Sequence, residues 1–325
     1  MRKPLEFLIV TVLILMLPVP SVAMWYWGTK PLSMGTAGVA VADDNNAIQI
    51  NPAGVAETNF GSVDIQFERR EYEIADYPKF HGEDLEETED EWLPAYERTY
   101  WEDDDPVDPH EKNISDFWHA SIIDGKTSKA VSAGFSFTGA NFPNRTFKEG
   151  KDYRAALALA GNGGDIIYLG LAGKYISFEP GEGDFNMDAG FIVRAIDYFS
   201  VGMVGRNVFG TPDPYKAERE VALGLAVHVL DYATVAFDTT KVFDVDEPNT
   251  FNFALGVEGW VYKSVRQKAG LALRGGFDWN QIYNRDSYAF GIAWNALEGG
   301  LGYTFRADVQ RTRNFQHSIN LTMRF

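Results

Sequence analysis

The sequence predicts an all-β protein, a 14-stranded antiparallel transmembrane β-barrel. Three observations carry that prediction. The chain closes on an unbroken apolar/polar alternation from Phe315 to Phe325. Its strand-like runs are joined by connectors that alternate long and short. An export signal heads the chain, and no later stretch is apolar enough to span a membrane as a helix.

The amino terminus comes first. Arg2 and Lys3 precede an apolar run from Phe7 to Leu17, which Pro18 and Pro20 interrupt before Ser21-Val22-Ala23. A short apolar run with a basic head and small residues at its end reads as a secretory signal peptide over 1–23, cleaved after Ala23. The run is too short for a spanning helix, which needs about 20 apolar residues. With no cysteine in the chain, a lipoprotein anchor is excluded. An exported chain without membrane helices is either soluble or a barrel, because only helices and closed barrels satisfy their backbone in lipid.

Residues 24–61 do not read as strand. Gly, Ala and Thr dominate Lys30–Asp44 and Ile48–Ala56, so this segment is suited to close backbone packing. The barrel is expected over 62–325. Its first runs are Ser62–Glu71, Asp116–Asp124, Ser128–Ala140, Lys151–Gly161 and Gly164–Phe178. Asp184–Ile196, Tyr198–Phe209, Glu218–Leu230, Tyr232–Phe243 and Asn249–Tyr262 follow. Gln267–Trp279, Arg285–Asn295, Leu297–Ala307 and Phe315–Phe325 complete an even set of fourteen, as bacterial barrels require. Longer linkers follow the odd-numbered runs and minimal turns follow the even ones. Outer-membrane barrels place short turns in the periplasm and longer loops outside, which puts the carboxy terminus on the periplasmic side.

Charge is segregated. The chain carries 46 acidic and 29 basic residues, and 18 of the acidic residues lie between Glu71 and Asp116 against three basic ones. The formal charge of −17 is therefore the property of one long acidic extracellular loop, 72–115, and the body is nearly neutral. That loop lacks the spacing and glycine of a dedicated calcium site. Its interspersed Trp and Tyr leave it open as a surface for an extracellular protein partner.

Each strand has two unlike faces, because side chains alternate with a period of two. Val221, Leu223, Leu225, Val227 and Val229 form a lipid-compatible row, as do Tyr288, Phe290, Ile292 and Trp294. The opposite faces carry Asp188, Arg194, Arg206, Glu220, Asp238, Glu258, Arg274, Glu298 and Arg306, which must point into the lumen. An Arg or Lys facing lipid at the midplane would cost roughly 2–4 kcal/mol. Inward glycines such as Gly224, Gly256, Gly291 and Gly302 leave room for material inside.

The terminal strand ending on Phe325 resembles the closing strand of bacterial outer-membrane barrels, which the barrel-assembly machinery reads. The run Val39-Ala40-Val41-Ala42-Asp43-Asp44, followed by Asn51-Pro52-Ala53-Gly54, resembles the amino-terminal region of the FadL superfamily. That superfamily includes long-chain fatty acid and aromatic hydrocarbon transporters and the PorV/PorQ proteins. The resemblance implies a hatch that plugs the barrel and contains Asn51, Pro52 and Ala53. It also implies passive uptake of small hydrophobic compounds, with exit through a lateral gap, for which Gly134 on the third strand is the candidate. Asp43 and Asp44 are expected either to pair with lumenal arginines or to cap a turn that faces periplasmic water. Asn51-Pro52 is expected to form a tight turn whose amide bonds nearby backbone. The competing expectation is a PorV-like secretion shuttle or assembly barrel with a closed hatch.

Other chemistry finds no support in the residues. The histidines His81, His110, His119, His228 and His317 have no metal-ligand spacing, and there is no nucleotide loop or basic nucleic-acid patch. No cofactor, metal or catalytic residue is expected, and the partners are outer-membrane lipid and a hydrophobic small molecule.

Overall fold

The computed structural model describes residues 28–58, 60–73, 112–128, 130–142, 150–178, 182–209, 219–229, 232–243, 251–264, 269–281, 285–309 and 314–325. The expected signal peptide, 1–23, and the acidic stretch 74–111 lie outside the described residues.

Fourteen strands follow one another around a single closed barrel, each antiparallel to its sequence neighbours. They are β1 (Gly61–Glu73), β2 (Lys112–Asp124), β3 (Val131–Phe142), β4 (Gly150–Gly163), β5 (Ile167–Phe178), β6 (Glu182–Ile196) and β7 (Phe199–Arg206). β8 (Glu220–Val229), β9 (Ala233–Val242), β10 (Phe251–Ser264), β11 (Ala269–Asn280), β12 (Arg285–Asn295), β13 (Gly299–Asp308) and β14 (Phe315–Arg324) complete it. β14 returns to β1 in unbroken register from Ser62↔Arg324 to Glu71↔Phe315. Gly61 and Phe325 then exchange backbone hydrogen bonds of 3.3 and 3.0 Å at the seam. No strand is left with an open edge, so the backbone is satisfied without water.

The strands run within about four residues of the expected spans: β2 begins four residues early, β3 is shifted to Val131–Phe142, and β7 is shortened. β7 stops at Arg206 because Asn207 takes a left-handed φ of 54°, which turns the chain away from the sheet. The Asp188 carboxylate receives the Asn207 amide at 2.8 Å and holds that turn.

Alternation sorts side chains as expected. On β14, Gln316 and Ser318 are buried inside while Ile319, Leu321, Met323 and Phe325 are exposed on the outer wall. Trp118, Phe137 and Tyr153 stack across β2, β3 and β4 with ring centroids 5.2 and 5.9 Å apart. This cluster near the long-loop end matches the aromatic girdle of a membrane barrel. His317 sits on the outer wall, within 2.7 Å of the Tyr303 hydroxyl. Glu298 departs from expectation, because it falls in the exposed turn before β13 rather than on its inner face.

Residues 28–58 form two short helices, α1 (Thr29–Ser33) and α2 (Ala47–Ile50), and a 3-10 turn, Pro52–Glu57. They contact inward-facing residues from strands all around the barrel, so the segment lies within the lumen. No helix among the described residues is long and apolar enough to cross a membrane.

Candidate functional site

The site is the lumen where the amino-terminal segment meets the wall. The segment enters at Thr29, whose amide donates to Gln66 Oε1 at 2.9 Å and whose carbonyl accepts from Thr304 at 2.8 Å. After α1 the chain reverses through Gly35, with φ of 61°, and Thr36. Gly35 needs its glycine twice over, since a Cβ there would also stand 2.4 Å from the Phe277 backbone nitrogen. Gly276 on the wall answers it: a Cβ on that residue would lie 2.1 Å from the Gly35 nitrogen. The inward glycines of the sequence therefore make room for backbone.

Asp238 on β9 anchors the next turn. Its Oδ2 accepts the amides of Gly38 and Val39 at 2.7 and 2.8 Å. Ser200 Oγ donates to the Ala40 carbonyl at 2.9 Å. Arg206 clasps the end of α2 by donating twice to the Ile50 carbonyl, at 3.0 and 3.2 Å.

Asn51, Pro52 and Ala53 lie against β5 and β6. The Asn51 side chain is fully buried. Its Oδ1 caps the 3-10 turn by accepting the Ala53 amide at 3.2 Å. Its Nδ2 donates to the carbonyls of Val39 at 2.9 Å and Phe191 at 3.2 Å. A Cβ on Gly190 would stand 2.1 Å from Asn51 Oδ1, and one on Gly170 2.3 Å from the Ala53 nitrogen. The amide thus joins two parts of the segment to the wall.

The charges pair differently from the simplest expectation. Asp43 bonds Lys30 of its own segment rather than a barrel arginine. Asp44 accepts from the Asn46 amide at 2.9 Å and its Nδ2 at 3.1 Å, capping a local turn. The lumenal arginines have nearer acids: Arg206 pairs with Glu220 at 2.8 Å, Arg274 with Glu258 at 2.7 Å, and Arg306 with Asp278 at 2.7 Å. Arg194 reaches the segment through Glu57 at 3.0 Å. The first two are direct cross-strand neighbours, Arg206↔Glu220 and Glu258↔Arg274. Lys30 and Glu57 carry no comparable signal, because their partners depend on how the segment folds. Burial pushes the Glu57 carboxyl up to about 7 against the pull of Arg194.

Gly134 does not open the wall. The ladders of β3 run without interruption through Gly134, to Ile123 on one side and Ala158 on the other. Its missing side chain admits Ile48, whose atoms would be 2.9 Å from a Cβ at that position. The glycine serves internal packing and leaves strand pairing intact.

A cavity of about 510 Å³ lies beyond the segment, at the short-turn end of the barrel. Lys30, Asp43, Asp44, Asp64, Glu258 and Arg274 line it together with Trp260, Asn320 and Arg324.

No protein-family model matches the chain, and no curated protein matches it. Solved structures do. The Ralstonia pickettii toluene transporter TbuX superposes with a TM-score of 0.64 at 10% identity, covering 93% of this chain and 99% of that one. The Pseudomonas putida toluene transporter TodX gives 0.59 at 10% identity, over 93% and 98%. A Pseudomonas aeruginosa FadL homologue gives 0.55 at 11% identity, over 94% and 99%. The class defined here is a closed fourteen-stranded antiparallel β-barrel with an occupied lumen. Its fold is that of the FadL-type outer-membrane transporters.

Proposed function

We propose that this chain sits in the bacterial outer membrane and admits small hydrophobic compounds passively, with residues 24–61 acting as its hatch. On this reading, signal cleavage after Ala23 frees Met24 as the mature start. The long-connector end of the strands faces outside and the short-turn end faces the periplasm. One observation carries the reading: a closed fourteen-stranded wall surrounds a segment held by many separate polar contacts. Such contacts can be exchanged one at a time without opening the sheet. The toluene transporters named above share this fold. With the wall continuous at Gly134, the solute leaves through the cavity beside Asp43 and Asp44 when the segment shifts.

The test is toluene flux into proteoliposomes that contain the mature chain. Flux above that of empty vesicles, enhanced on deleting residues 24–58, supports uptake. A barrel that shows heat-modifiable migration yet gives no flux in either form overturns it.

A further inference from the structure

We propose that Trp260 is the specificity-determining residue of the uptake path, the wall side chain that sets how wide a solute can leave through the cavity at the short-turn end. The inference rests on the uptake reading for the direction of travel, whereas contact between solute and ring is measurable without transport.

β10 is built to bring this ring inside. Trp260 follows Glu258 on the inward face, and both line the cavity. The Trp260 amide donates to the Tyr232 carbonyl at 2.8 Å, which fixes the backbone. Directly afterwards the register between β10 and β11 shifts, between Trp260 and Tyr262. The extra residue lets Val261 and Tyr262 both lie on the outer wall, 64% and 58% exposed, while Trp260 keeps to the lumen. Bulges commonly re-aim a side chain in this way. Trp118, Trp279 and Trp294 are exposed on the outer wall, so Trp260 is the one tryptophan inside among the described residues.

The wall around the ring consists of small residues. Trp260 stands opposite Ala272, Ala272 opposite Ala293, and Ala293 opposite Gly302, one inward row from β10 to β13. Gly270, diagonal to Trp260 on β11, lies beneath the ring, since a Cβ there would stand 2.7 Å from the indole. Trp260 is therefore the bulky projection on this sector of the wall.

Lys30, Asp43 and Asp44 give the cavity a charged side on the amino-terminal segment. Phe60, the other aromatic ring in the lining, is held under the Arg324 guanidinium at 4.9 Å. An apolar solute that leaves water gains from covering apolar surface and gains nothing from the charged side. It therefore travels against the indole, a large and rigid apolar face. The gap between that ring and the segment is the width the solute must clear.

The experiment compares the flux of toluene with that of the bulkier triisopropylbenzene into proteoliposomes that contain the full-length mature chain. Trp260→Ala should raise the ratio of bulky to small solute about tenfold, and Trp260→Phe should fall between it and the wild type. Gly270→Ala pushes the ring into the cavity and should lower the ratio, a sign that a merely structural role for Trp260 would not produce. An unchanged ratio in Trp260→Ala, with heat-modifiable migration retained, overturns the proposal. Contact is read in detergent from quenching by bromobenzene. The fluorescence difference between the wild type and Trp260→Phe should be quenched saturably and recover when toluene is added. A difference signal that bromobenzene leaves unquenched also overturns the proposal. The two readings separate cleanly. Toluene flux with an unchanged ratio overturns the role of Trp260 alone. Quenching without flux of either solute overturns uptake, and the size limit with it, while contact at Trp260 stands.

Discussion

Asp238 holds Gly38 across 200 residues of sequence: its Oδ2 accepts the Gly38 amide at 2.7 Å, and the neighbouring Val39 amide at 2.8 Å. A single carboxylate thereby fixes the middle of the amino-terminal segment to the wall. Hydrogen bonds to a charged group contribute about 1.5–3 kcal/mol each. Asp238→Ala is expected to loosen the segment and raise single-channel conductance in planar bilayers, while Asp238→Asn should fall between the two. Wild-type conductance in the alanine variant would refute this anchoring role.

Close backbone packing gives a second prediction. In Gly170→Val the new side chain meets Pro52 and Ala53, whose backbone leaves only 2.3 Å for a Cβ. The barrel should still form, with its segment displaced. The chain has no cysteine, so Ala56→Cys can serve as a reporter. Ala56 is 6% exposed, and maleimide should label the cysteine slowly in the otherwise native chain and much faster when combined with Gly170→Val.

The buried pair Arg206–Glu220 yields a prediction about stability. Removing the arginine leaves Glu220 uncompensated and the Ile50 carbonyl without its donor, so Arg206→Met should cost about 3–5 kcal/mol. Adding Glu220→Leu should recover much of that loss, as read from urea unfolding in detergent. If the double variant is no more stable than the single one, the penalty does not come from the stranded charge.

Glu57 sets a pH dependence. Burial raises its folded pKa from 4.5 to about 7, so the folded state holds the proton more tightly than the unfolded chain does. This contribution to stability is fully present below about 4.5 and is lost as pH rises through about 7. The segment should therefore become easier to displace between pH 5 and pH 8, as monitored by labelling of the same Ala56→Cys reporter. Rates must be corrected for the thiol's own ionisation, and Glu57→Gln should flatten the profile.

Much of the wall was legible in the sequence. The alternation of Phe315–Phe325 and the long/short rhythm of connectors follow from local rules, a two-residue period and hairpin turns. The role of Asn51-Pro52 was legible for the same reason, because a capping amide acts on its immediate neighbours. Asp43 was harder. Its partner is Lys30, thirteen residues away, and that pairing exists only because the segment folds back on itself. Gly134 misled for a related reason: in a strand, a glycine that weakens pairing and one that admits Ile48 have the same spelling.

The clasp between Gly61 and Phe325 closes the wall on the segment that precedes it in the chain. Residues 28–58 precede every strand, yet they bond to Gln66 on β1, Asp238 on β9 and Ser318 on β14. At Gly170, Gly190 and Gly276 the segment and the wall come so close that a single added Cβ would collide. Wall and stopper are therefore fitted to each other, backbone against backbone. What comes first in the chain is what the last strand, β14, helps to enclose.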